Sequence, residues 1–327
     1  MFDQGSINGF INQIVLTLDN LFKDKKVSQE LLDYLYLIAA GMITNYGIQY
    51  YGDILKVFED VNFAYGKKDV YAKVNDDLKL QLDREFSNNS CAEALTMFDI
   101  HEIGKFGYLP MLKIDYLVCV LNNKANSLTL LEYLTHELNH ILMSQKNTFS
   151  FKEDAILLRN GLFKALVVGD NHPLESGRAI NEVVNTLQTE DVMKCIFSFK
   201  NYGIENEKFN NALKIVENAN KLTYRASGYE LFVNLFRPLY EEDAIKKMFN
   251  RNIIEGKVDE VHKYFDDVLG VGSFDRMSKK LDSIYVLLTR GKIGRQVSNF
   301  EFSSDMVIIR DTFVKKFADK KFGYKRN

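Results

Sequence analysis

The stretch Leu130–Gln145, LLEYLTHELNHILMSQ, sets His136 and His140 four residues apart, with Glu137 directly after the first. On a helix, positions i and i+4 share a face one turn apart, so both imidazoles can be directed at one ion. Zinc takes such ligands, and a catalytic zinc keeps one coordination position open for water. Glu137 is turned about 100° from His136 around the axis, out of the ligand position but near that water. A zinc-held water is acidified to a pKa near ~7, and an adjacent carboxylate can take its proton as general base. The competing explanation is a core helix. Leu130, Leu134, Leu138, Ile141 and Leu142 form an apolar side on which two histidines could simply be satisfied by hydrogen bonds. Yet the chain has 5 histidines, and chance yields His-Glu-x-x-His in well under ~1% of chains of such composition. Metal chemistry is the expectation.

Two histidines do not complete a catalytic zinc site; a third protein ligand is needed. The extended metzincin pattern would require Gly at 143 and His at 146, where Met143 and Lys146 stand. The remaining candidates are Glu182 in AINEVVNT, Glu190, Asp191, and three residues of GDNHPLESG: Asp170, His172 and Glu175. That last segment is loop-like, with Gly169, Pro173 and Gly177, and holds side chains less rigidly than a helix does.

HELNH followed by AINEVVNT resembles the gluzincin metallopeptidases, the thermolysin-like branch of the zincins. The resemblance spans Leu128 to Thr186 and includes Ile180 and Asn181 ahead of the glutamate. It implies His136, His140 and Glu182 as zinc ligands and Glu137 as the base. One departure stands out. The group has an aspartate four residues after the ligand glutamate, orienting a ligand histidine, whereas this chain has Thr186, with Asn185 beside it. The layout is also similar to uncharacterised predicted metallopeptidases of low-GC Gram-positive bacteria, and HELNHIL to the repressor-cleaving ImmA-type peptidases. Those are usually smaller, with the third acidic ligand closer. The resemblance further implies a peptide or protein substrate bound along an edge strand before the motif helix, the place of MLKIDYLVCVLNN.

A peptidase must also neutralise the oxyanion of its tetrahedral intermediate, commonly with a Tyr, His or Arg donor. KLTYRASGYELF offers Tyr224, Arg225 and Tyr229 in the matching part of the chain, although with 17 tyrosines any one is more often packing. His262 lies on an amphipathic stretch. His101, in HEIGK, begins like the motif but lacks its second histidine.

These residues need elements to hold them. Residues 28–58 carry apolar positions at helical spacing, and DDLKLQLDREF reads as a short amphipathic helix. MFDIHEI and LPMLKIDYLVCVLNN are rich in Ile, Val, Tyr and Leu between turn residues, and read as neighbouring strands. Ser127 then caps a motif helix over 128–143. KEDAILLRNGLFKALVV is ambiguous between a hairpin and a helix because Gly161 interrupts it. A second helix starts after Gly177, and helical patterning dominates from about Phe209. The expected class is α+β and zincin-like: an N-terminal part, 1–146, with a mixed sheet preceding the motif helix, and a mainly helical part, 147–327, carrying the third ligand.

Composition excludes little but steers. Net charge is −2 and no basic stripe lies outside the tail VKKFADKKFGYKRN, so nucleic acid is not an expected partner. The longest apolar run, Tyr34–Ile43, is too short to span a bilayer. Cys91, Cys119 and Cys195 are far apart and form no CxxC, which argues against a disulfide framework. No Sec-type signal opens the chain, so a cytoplasmic location is expected, or export by a route that leaves no such mark. The rival to a peptidase is a non-catalytic binding or regulatory protein that keeps the zincin fold.

Overall fold

The structure is a computed structural model of the 327-residue chain. It describes residues 4–25, 27–73, 79, 94–106, 109–120, 127–146, 148–152, 155–168, 174–217, 230–291, 307 and 309–322. Its class is α+β. Contacts between Cα atoms divide it into two compact units, Met1–Leu142 with Thr189–Tyr224, and Met143–Gln188 with Arg225–Asn327. Where a single boundary near 146 was expected, the chain changes unit after Leu142, after Gln188 and after Tyr224.

The first unit opens with α1 (Gln4–Phe22), α2 (Gln29–Tyr46), a 3₁₀ turn and α3 (Tyr51–Asp60). Ser28 caps α2 by accepting from the Leu31 amide at 3.2 Å. The apolar run Tyr34–Ile43 lies in α2, and every one of its residues is buried. A helix apolar on all sides belongs in a core or a bilayer. Here the core claims it, and no described helix is long and apolar enough to cross a membrane.

Strand β1 (Val61–Tyr65) and α4 (Gly66–Lys73) lead to β2 (Ala94–Phe106) and β3 (Leu109–Val120), which form a mixed sheet in the order β1-β3-β2. β1 pairs with β3 in parallel and β2 pairs with β3 antiparallel. The two Ile- and Val-rich segments are therefore neighbours, as their composition suggests. The position of β3 differs from expectation. Over Tyr116–Val120 it is flanked on both sides, so there it cannot accept an added strand, and the outer strands are β1 and β2.

Next comes the motif helix, α5 (Ser127–Ser144). The unit is completed by the second half of a later helix, α6 (Arg178–Ser198), and by α7 (Glu207–Leu213). Leu131, Leu134, Leu138 and Ile141 of α5 and Val192, Met193 and Ile196 of α6 are all fully buried. A Cβ added to Gly41 of α2 would lie 2.6 Å from Ile196, so a glycine is what lets these helices approach.

The second unit contains a four-stranded antiparallel sheet, β4 (Thr148–Lys152), β5 (Ala155–Asn160), β6 (Phe163–Val168) and β7 (Leu174–Ser176), in sequential order. The ambiguous segment is thus a hairpin. Gly161, with φ 55°, takes the first position of the two-residue loop between β5 and β6, as the strand twist favours. Helices α8 (Glu230–Tyr240), α9 (Asp243–Ile254), α10 (Val258–Leu269), α11 (Ser273–Gly291) and α12 (Lys316–Phe322) follow, the last preceded by a π-helical turn. Phe265 anchors their core, with ring centroids 4.6 Å from Phe317, 5.3 Å from Phe274 and 6.1 Å from Phe249. Phenylalanine supplies the bulk in a chain without tryptophan. DDLKLQLDREF falls almost wholly outside the described residues.

Candidate metal centre

Helix α5 carries His136, Glu137 and His140, and its rotation is fixed by polar bonds in its buried side. Asn139 is fully buried; its Oδ1 accepts from the Tyr46 hydroxyl at 3.0 Å and its Nδ2 donates to Thr189 Oγ1 at 3.2 Å. One amide thereby ties α5 to α2 and α6. The Thr135 hydroxyl donates to the Leu131 carbonyl at 2.7 Å, closing on its own helix. Burial, and then the negative charge of Asp191, push the Tyr46 phenol far above its ordinary pKa, so it stays a donor.

The two imidazoles converge. Their Nε2 atoms are 3.1 Å apart and the rings stand nearly perpendicular, at 88°. Two nitrogens bound tetrahedrally to zinc at 2.0–2.1 Å would be about 3.3 Å apart, so the pair is already close to that spacing. His136 is buried, while His140 and Glu182 are half-buried. Glu182, the fifth residue of α6, completes the group: one ligand atom from each of His136, His140 and Glu182 lies within 4.8 Å of the others. Bringing the carboxylate to tetrahedral spacing requires at most about 1.5 Å of movement, within the reach of a glutamate rotamer. Two imidazoles and a carboxylate are a donor set that zinc accepts, and the residues fit the ion.

Glu137 is held from the sheet. Its Oε2 accepts from the backbone N–H of Thr96, on β2, at 2.8 Å. Behind it, Cys119 of β3 is fully buried, and burial followed by the Glu137 charge pushes its thiol up to about 12. Cys119 is thus held as a protonated thiol.

Helix α6 is fixed at its start within the second unit. Gly177 has φ 83°, and a Cβ there would sit 2.2 Å from the Leu162 carbonyl oxygen. Asn181 Oδ1 accepts from the Leu162 amide at 3.0 Å, binding the helix to the hairpin loop. Asp282, on α11, accepts from the amides of Gly177 and Ala179 at 2.7 and 2.8 Å.

Among the other expected residues, Thr186 is buried, and its hydroxyl meets no hydrogen-bond partner among the described residues. It does not replace the aspartate of the gluzincin pattern. Asp191 pairs with Lys194 at 3.1 Å, and Glu190 precedes it on the same helix. Glu175 is in β7 and His101 in β2, where it pairs with Lys113. His262 stacks on Phe274 at 4.3 Å, with Nδ1 3.4 Å from Asp275. Asp170, His172, Tyr224, Arg225 and Tyr229 lie outside the described residues. Sequence reasoning passed over Asn139, Tyr46, Thr96 and Asp282. Only Asn139 left a trace, as a polar residue among the leucines of the motif. Comparison with known proteins finds no matching family model, no matching curated protein and no matching solved structure.

Proposed function

We propose that the chain is a zinc-dependent metallopeptidase, with His136, His140 and Glu182 as the protein ligands and a zincin-like arrangement around them. The observation that carries this reading is the convergence of those three residues, from two helices, to within 4.8 Å. When bound, zinc would polarise the scissile carbonyl and acidify a water. Glu137 takes a proton from that attacking water and delivers it to the leaving amine nitrogen as the C–N bond breaks. Its Oε2 is engaged by the Thr96 amide, which fixes the carboxylate plane and leaves Oε1 for the proton. Tyr224 and Tyr229 are proposed donors to the oxyanion. The substrate is a peptide or protein, and β2 is one of the two outer strands against which an extended segment pairs.

A second reading, a non-catalytic metal-binding protein, draws support from Thr186, whose buried hydroxyl does not do the work of the missing carboxylate. Metal analysis of wild type and Glu182→Ala, run beside a peptide-library cleavage assay, separates the cases. Stoichiometric zinc, lost in the variant, together with cleavage supports the peptidase. Zinc without cleavage supports the second reading, and full zinc retention by Glu182→Ala removes Glu182 from the site.

A further inference from the structure

We infer that Asp282 is a positioning residue for the metal site, acting on the third ligand through the first turn of α6. The inference rests on Glu182 being that ligand. The first amides of any helix lack partners within it, and a carboxylate placed there satisfies them and complements the helix dipole. For α6 that carboxylate is not a neighbour in sequence. Asp282 comes from a helix more than a hundred residues downstream and spends both oxygens on the cap, Oδ2 on the Gly177 amide at 2.7 Å and Oδ1 on the Ala179 amide at 2.8 Å. Its own position is rigid, because Leu281 and Ile284 beside it on α11 are fully buried.

Glu182 follows Ala179 by three residues, one helical turn from the cap. Between them Asn181 is pinned to the Leu162 amide, and its own N–H closes the first helical bond, to the Gly177 carbonyl, at 3.0 Å. The turn presenting Glu182 therefore has two anchors. Asn181 holds its side toward the hairpin, and Asp282 holds its end. Removing the second lets the first turn fray, and the carboxylate of Glu182 loses its fixed origin.

A control with the same bond chemistry exists in the same unit. Asp266 accepts from the amides of Gly272 and Phe274 at 2.7 and 3.0 Å, capping the first turn of α11, which bears no ligand and carries Asp282 more than two turns further on. The test measures zinc affinity by competition with a chelating dye for wild type, Asp282→Ala, Asp282→Asn, Asp266→Asn and Glu182→Ala, with thermal stability recorded for each. Partners that orient a metal ligand are worth about 10–100-fold in affinity, so Asp282→Ala is expected to weaken zinc binding at least about tenfold. Asp282→Asn, keeping one accepting oxygen, loses less, and it serves as the readout if the alanine variant does not fold. Asp266→Asn falls in stability to a similar degree yet keeps its affinity within about twofold. Wild-type zinc affinity in both Asp282 variants, with affinity lost in Glu182→Ala, overturns the inference and leaves the ligand set standing. Unchanged affinity in Glu182→Ala overturns the ligand set, and this inference with it.

Discussion

Replacing Tyr46 with phenylalanine deletes one oxygen from a fully buried pair. In wild type the phenol donates to Asn139 Oδ1 at 3.0 Å, at a tyrosine 6% exposed and an asparagine 0% exposed. The net value of such a bond is about 1 kcal/mol, and an acceptor left unsatisfied in the interior costs about 1–3 kcal/mol more. Phenylalanine keeps the ring's packing, so little cavity cost is added, while relief from burying the phenol offsets part of the loss. The expected destabilisation is about 1.5–3 kcal/mol. Asn139→Ala should cost more, about 3–5 kcal/mol, because it removes the acceptor of the phenol and the donor to Thr189 Oγ1 together and opens a void. Urea unfolding of the two single variants and the double variant gives the coupling energy directly. A value near 1–2 kcal/mol is expected for groups in contact. Coupling below about 0.3 kcal/mol, the level of independent sites, would refute the claim that this bond locks the motif helix.

Three further outcomes are expected. Glu137→Gln should keep zinc, since Glu137 is outside the proposed ligand set, while peptide cleavage falls about 10²–10⁴-fold; unchanged turnover in a stopped assay removes the general-base role. Gly177→Ala should destabilise by at least about 2 kcal/mol, combining left-handed strain with a Cβ driven into the Leu162 carbonyl, and a melting temperature equal to wild type would contradict this. Cys119, whose thiol is held up to about 12 in the fold, binds its proton more tightly folded than unfolded. Its stabilising contribution is therefore complete below the unfolded thiol pKa of about 8.5 and declines above it, by up to about 1.4 kcal/mol per pH unit. Cys119→Ala should flatten the fall in stability between about pH 9 and 10, before tyrosines join, and an unchanged slope would count against the assignment.

The motif helix, the second helix after Gly177, the strand pair and the helical tail were legible because each has strong local signals: a 3.6-residue apolar period, β-branched runs, punctuating glycines. KEDAILLRNGLFKALVV was not, since a short apolar run fits either state until pairing with β7 and the Asn181 bond to Leu162 decide it. The place of β3 was also out of reach. Strand order is set by long-range pairing, and only β1, some fifty residues upstream, turns the presumed edge into a central strand. Of the candidate centre, the His136–Glu137–His140 group was local and readable. Glu182 came through resemblance, and the Asp282 cap left no trace because its two partners are backbone amides.

The grip on Glu137 has the same character. The group that orients it belongs to the main chain of Thr96, so nineteen of the twenty amino acids would offer it equally. Selection could let residue 96 drift through almost every type while that grip persists, and a survey of side chains would overlook the position. Proline alone lacks the hydrogen, and a sheet's outer strand is one of the few places that tolerates it. A single codon change there would switch off the contact and leave the pleat intact.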